Sequence, residues 1–249
     1  KTNWPLVLLL WAAGLGAAAQ YGKISVIFDQ LPSVYPDAGA GLGFAVSLVG
    51  FLGILLGVVA GVLVARIGYG RALIWALILG SVMSFIQSSF PPLPWFLATR
   101  VIEGGAHLAI VVAAPTLISQ IILPKHNGFA LTLWGTFFGV AFAVLAWVGL
   151  PFADAFGLSA LMMAHALYLA LMAVALWCFL PVRKAVSGRR PNLSELAVAH
   201  TRLYRSPYIG APAFGWLFYT ISFVAVLTVL PPFLSASWRL LIIGAMPLM

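Results

Sequence analysis

Two groups of polar side chains interrupt long apolar runs, and both have types and spacings that can do chemistry. The first is Gln20, Tyr21 and Lys23. Gln20 and Lys23 stand three apart and so share a helix face. A lysine there has two readings. It lines a cavity and binds an anionic or polar substrate, or titrates; or it stretches outward to the lipid headgroups beside Asp29. The second group is Arg100, Glu103 and His107, whose spacings of three and four put all of them on one face. Arg100 and Glu103 can pair within the helix, which lowers the cost of burying both. An imidazole such as that of His107 can exchange a proton near neutral pH. As a functional set these residues form a proton site coupled to substrate binding. As a structural set they are a satisfied ion pair and a core histidine.

Three further candidates are weaker. Met162, His165 and Met172 lie roughly on one face, and thioether and imidazole ligands suit Cu(I). Methionine is also an ordinary gap-filling residue, and there is no tight Met-x-x-x-Met or paired-cysteine cluster, so the expectation is no metal. Trp134, with Phe137 and Phe138, either stacks on an aromatic solute or faces lipid. Gly53, Gly57 and Gly61 repeat every four residues, as do Gly135 and Gly139, the small-residue geometry of close helix packing.

The elements that must position these residues follow from composition. Hydrophobic residues make up 63% of the chain and charged residues 7%, too few to wet the surface of a soluble domain, which needs about 25%. A bilayer core needs about 20 apolar residues per helix. On that ruler the sequence predicts an all-α membrane protein with seven spans: 4–31, 42–66, 71–89, 94–123, 127–150, 158–181 and 207–234, followed by a short apolar piece at 240–249. Prolines mark the joints, with Pro151 closing the fifth span and Pro181 the sixth. The first apolar run is too long for the core of a cleaved signal peptide. A transmembrane barrel would show short alternating strands instead. Cys178 is the only cysteine, so no intrachain disulfide is possible.

The net charge of +8 is a matter of topology. With the N-terminus inside, Arg66, Arg71, Lys125 and the run Arg183, Lys184, Arg189, Arg190, Arg202 and Arg205 fall on the inner side. Asp29, Asp37 and Asp154 fall outside. That asymmetry sets the orientation and removes nucleic acid as the partner. It predicts an integral protein of a bacterial inner (plasma) membrane, with the N-terminus and the 182–206 segment cytoplasmic. Residues 192–204 can form an amphipathic helix along that interface, or serve as a solvated basic linker. The expected division is a six-helix domain at 1–181, the linker at 182–206, and the start of a second domain at 207–249.

Six spans, a basic linker and a new set of spans resemble the major facilitator superfamily. The joint Gly61-Val-Leu-Val-Ala65-Arg66-Ile-Gly68-Tyr69-Gly70-Arg71 looks like the family's loop motif: Gly61, Arg66, Gly68 and Arg71 match, and Ala65 replaces an aspartate. Arg100-Val-Ile-Glu103-Gly104 resembles the family's arginine-x-x-glutamine-glycine signature, with glutamate for glutamine. The resemblance implies about twelve spans in two six-helix halves. It therefore predicts further spans beyond Met249.

It also implies a secondary transporter working by alternating access, expected to be a proton-coupled importer (a symporter). Gln20, Tyr21, Lys23, Arg100 and Trp134 would meet a small-molecule substrate, Glu103 or His107 would carry the proton, and Gly61, Arg66, Gly68 and Arg71 would shape the gate. No cofactor is expected, and no Walker loop, dinucleotide motif, nucleophile elbow or zinc spacing suggests an enzyme. A monomer embedded in lipid is the expected working unit. The rival reading is a non-transporting scaffold that helps to assemble a larger membrane complex.

Overall fold

The computed structural model describes residues 2–181, 193–230 and 233–245. Among these there is no strand. Helix α1 is Trp4–Ser25, α2 Gly43–Ile67, α3 Tyr69–Gln87 and α4 Leu93–Ile121. The fifth crossing is assembled from α5 (Asn127–Gly135), α6 (Phe137–Val144), a π-helical turn at Leu145–Gly149 and α7 (Leu150–Phe156). Helix α8 is Leu158–Phe179. Then come α9 (Leu193–Arg205), α10 (Pro207–Val229) and α11 (Ala236–Ala245). Six segments up to Phe179 are long and apolar enough to cross a membrane, and α10 occupies the seventh expected span. Their outer faces carry Ile54, Trp75, Trp95, Trp177 and Phe179, the residues of a surface wetted by lipid rather than water.

Two boundaries differ from expectation. The first helix stops at Ser25, and Phe28–Ser33 forms a separate 3-10 turn containing Pro32. Pro151 does not close the fifth span. It sits in the first turn of α7, where no intrahelical N–H is required, and helix continues to Phe156. The preceding π turn hands the Leu150 N–H to the Leu145 carbonyl. The amphipathic helix expected at 192–204 is α9. The basic residues Arg183, Lys184, Arg189 and Arg190 lie outside the described residues, as do 246–249.

Helix α1 is the axis of the bundle, packing against α4, α6 and α8, while α4 also packs broadly on α2 and α3. The ends of the bundle differ in charge. At one end Tyr35 Oη donates to the Pro91 carbonyl (2.8 Å) and Gln30 Nε2 donates to Asp154 (3.0 Å), which gathers the joints that hold Asp29, Asp37 and Asp154. At the other end Thr2 Oγ1 meets His126 Nδ1 at 2.8 Å and accepts from the Leu123 N–H, beside Lys125. The α2–α3 joint, with Arg66 and Arg71, turns on Gly68 alone, whose φ of +91° is open to glycine at little cost.

The glycine stripe at 53, 57 and 61 meets no close neighbour among the described residues. A Cβ added at any of the three, or at Gly135, would meet nothing within 4 Å. Close helix approach occurs instead at Gly104, where a Cβ would lie 2.3 Å from the Val49 carbonyl oxygen of α2.

Candidate functional site

Gly104 explains how the polar site is built. Because α4 can touch the α2 backbone at Val49, Arg100, one turn earlier, reaches the Ala45 carbonyl, also one turn earlier. Its Nε donates there at 2.7 Å. One Nη donates to the Gln20 carbonyl of α1 at 2.6 Å, and the other is paired with Glu103 Oε2. Arg100 thus ties α1, α2 and α4 together through a single planar fork.

Lys23 enters the same site from α1. Its Nζ donates to Glu103 Oε1 at 2.7 Å, to Ser84 Oγ of α3 at 2.9 Å, and lies 3.2 Å from His165 Nδ1 of α8. Gln87 Nε2 adds a bond to Glu103 Oε2 at 2.8 Å and one to Thr99 Oγ1 at 3.1 Å. Lys23, Arg100 and Glu103 each have 0% exposure. A carboxylate held between two cations and an amide is the arrangement that makes burial of these charges tolerable. Lys23 therefore turns inward and does not stretch to the headgroups.

Of the other expected residues, Tyr21 and His107 meet edge to face with ring centres 5.0 Å apart, and His107 Nδ1 is 3.0 Å from the Ala17 carbonyl. Both are half-buried beside the ion network, with Phe138 6.0 Å from Tyr21. The Gln20 side chain is fully buried, and neither of its amide atoms has a hydrogen-bond partner among the described residues. Its Nε2 fills the space a Cβ would take at Gly80. Trp134 is placed elsewhere. It stacks on Phe137 at 4.5 Å and packs on Gly14 of α1, inside the apolar core. Gly61, Arg66 and Arg71 are exposed at the charged end, away from the network.

His165 sits in the ion network rather than in a methionine cluster. Its Nε2 faces the Gly16 carbonyl at 3.0 Å and its Nδ1 faces Lys23 and Ser84, so protein groups occupy both ring nitrogens. Met162 contributes its carbonyl oxygen to Ser84. Among the described residues no three His, Cys, Asp or Glu side chains gather as metal ligands. Sequence reasoning missed Ser84, Gln87 and the linkage of His165 to Lys23. The available signal was Ser84 and Gln87, three apart on an otherwise apolar helix.

On the other side of His165 lies an apolar cavity of about 310 Å³ between α1, the fifth crossing and α8, lined by Leu15, Val148, Phe152 and Tyr168 among others. It borders the network only through His165.

A helical bundle organised around ionised residues of its first and fourth crossings defines a class of membrane protein. The family model described as Major Facilitator Superfamily matches residues 6–249, and the chain belongs to that family. The niacin transporter NiaP of Acinetobacter baylyi is 33% identical over 147 residues, covering 56% of this chain and 33% of that protein. The chain thus matches about a third of the length of this curated relative. No solved structure gives a significant match.

Proposed function

We propose that the protein is a secondary transporter that moves a small solute across the membrane by alternating access, driven by a proton gradient in the direction of uptake. The observation that carries this reading is the Lys23–Glu103–Arg100 network, three ionised side chains at 0% exposure within the bilayer-spanning part of the bundle. Buried charge in a membrane is expensive, and transporters place it where solute and coupling ion bind. The half-buried Tyr21 and His107 form the substrate-facing edge of the site, with Arg100 and Lys23 supplying positive charge behind them. The charged end carrying Arg66, Arg71 and Lys125 lies in the cytoplasm, by the asymmetry of basic residues. Gly68 provides the tight turn that a moving α2–α3 joint keeps.

Niacin, named for the relative, is the first solute to try, because an aromatic carboxylate suits aromatic side chains beside surplus positive charge. The test is uptake of radiolabelled niacin by the full-length protein in proteoliposomes, with and without an imposed proton gradient, against a panel of small organic acids. Gradient-dependent uptake of any of them supports the reading. Absence of flux for the whole panel, together with co-purification of a large membrane complex, overturns it in favour of a scaffold.

A further inference from the structure

The hydrogens of the network can be counted. The Gly16 carbonyl can only accept, so His165 Nε2 carries the ring proton and donates to it at 3.0 Å. His165 Nδ1 is then a lone pair facing Lys23. A second ring proton would point at the Lys23 ammonium 3.2 Å away, so the imidazole is neutral. Ser84 Oγ has two acceptors within 2.9 Å, the Met162 carbonyl and His165 Nδ1; donating its one hydrogen to the carbonyl leaves Nδ1 open to Lys23 and the oxygen free to accept. The three N–H bonds of a Lys23 ammonium then match three acceptors: Glu103 Oε1, Ser84 Oγ and His165 Nδ1. In this state the network holds two cations and one anion, a surplus of one positive charge.

The same heavy atoms accommodate one proton fewer. A neutral Lys23 amine keeps two N–H bonds, directed at Glu103 and His165, and gains a lone pair. The Ser84 hydroxyl, 2.9 Å from Lys23 Nζ, rotates from the Met162 carbonyl onto that lone pair and becomes the donor. The Met162 carbonyl lies inside α8 and retains its helical partner. No donor or acceptor among these atoms is lost, no heavy atom moves, and the surplus charge is gone.

No other member of the network offers this. Arg100 keeps its proton throughout. Glu103 accepts from Lys23, Arg100 and Gln87 and is held as the carboxylate. The ionisable groups that face Lys23 are Arg100, Glu103 and His107 from α4, His165 from α8 and Tyr21 from its own helix. From α3 come Ser84 and Gln87, while α2 and α6 present no ionisable side chain to it. His107 holds the Ala17 carbonyl and has no bond to Lys23.

We propose that Lys23 is the group that takes up and releases the coupling proton, with the Ser84 hydroxyl as the rotor that makes both of its protonation states fully hydrogen-bonded and His165 as the fixed acceptor that positions it. In uptake, Lys23 is protonated while the site faces outward and gives that proton to water while it faces inward. The proposal rests on the transport reading above.

Two measurements test it separately from that reading. In full-length protein labelled with 15N-lysine, the Lys23 Nζ resonance, assigned by its loss in Lys23→Arg, is expected to change from ammonium to amine across the pH range of a titration. A resonance that stays ammonium at every pH overturns the proposal, whatever the protein transports. In proteoliposomes, Lys23→Arg, which keeps the charge but cannot release the proton, is expected to lose gradient-driven accumulation, so that any niacin flux it retains does not respond to the imposed proton gradient. Ser84→Ala is expected to shift the pH profile of uptake, and Ser84→Thr to restore it. Gradient-driven accumulation by Lys23→Arg at the wild-type proton-to-niacin ratio overturns the assignment of Lys23. Absence of niacin flux in the wild type removes niacin as cargo and leaves the resonance of Lys23 to decide the assignment.

Discussion

Helices α4 and α2 touch along one seam, yet they solve opposite problems. Helix α4 carries Arg100 and Glu103, and its surroundings satisfy them with partners from α1, α2 and α3. Helix α2 gives that seam a backbone carbonyl at Ala45 and close contact at Val49. On its far side it presents Phe51, Ile54 and Leu55 together with a run of glycines that meet no neighbour. One helix is committed to an interior already complete within this chain. The other has a face that the described residues leave uncovered at its glycines. Small residues lying four apart therefore do not by themselves report where helices meet.

The comparison breaks most sharply at Glu103. Glu103→Gln leaves Lys23 and Arg100 without their shared carboxylate, and removal of one partner from a buried ion network costs about 3–5 kcal/mol. Thermal unfolding of the full-length protein in detergent should show that loss, and a change near zero would mean that the network is not what holds α1 to α4. Next comes Gly104→Ala. The added methyl falls against the Val49 carbonyl and must push α4 off α2, an overpacking cost of about 1–3 kcal/mol that also draws Arg100 away from Ala45. The smallest effect belongs to Gly57→Ala, expected to cost nothing and to gain at most about 1 kcal/mol from helix propensity, because no described residue stands within 4 Å. A cost matching that of Gly104→Ala would reveal a partner seated on the stripe in the complete protein.

Much of the helical frame was legible from the apolar runs and their proline joints, because lipid admits few alternatives to helix. The Arg100–Glu103 pair was legible too, since both partners lie on one helix at contact spacing. What could not be read was long-range. Lys23 and Glu103 are 80 residues apart, and Lys23 and His165 are 142 apart, so no local pattern announces their meeting. The methionines near His165 in sequence say nothing of its place beside Lys23, because proximity in sequence is the only proximity visible there. Ser84 carries a weak signal because a serine in an apolar helix usually bonds its own backbone. The place of Trp134 in the core is illegible for the converse reason: an aromatic in a membrane helix has three possible surroundings, and only Gly14 opposite it selects the core.

The π turn at Leu145–Gly149 acts on phase. A π turn holds one residue more than an α turn, so the fifth crossing carries an offset of about 100° between its two ends. The α6 and α7 sides of the turn both meet the first helix and its extension, Phe137 against Gly14 and Asp154 against Gln30. A helix of uniform pitch could keep one of these contacts but would swing the other aside. The stretch from Phe137 to Phe156 thus behaves as two helical pieces joined at a fixed dihedral, and deleting a single residue from the turn would re-aim one piece without altering any side chain in the other.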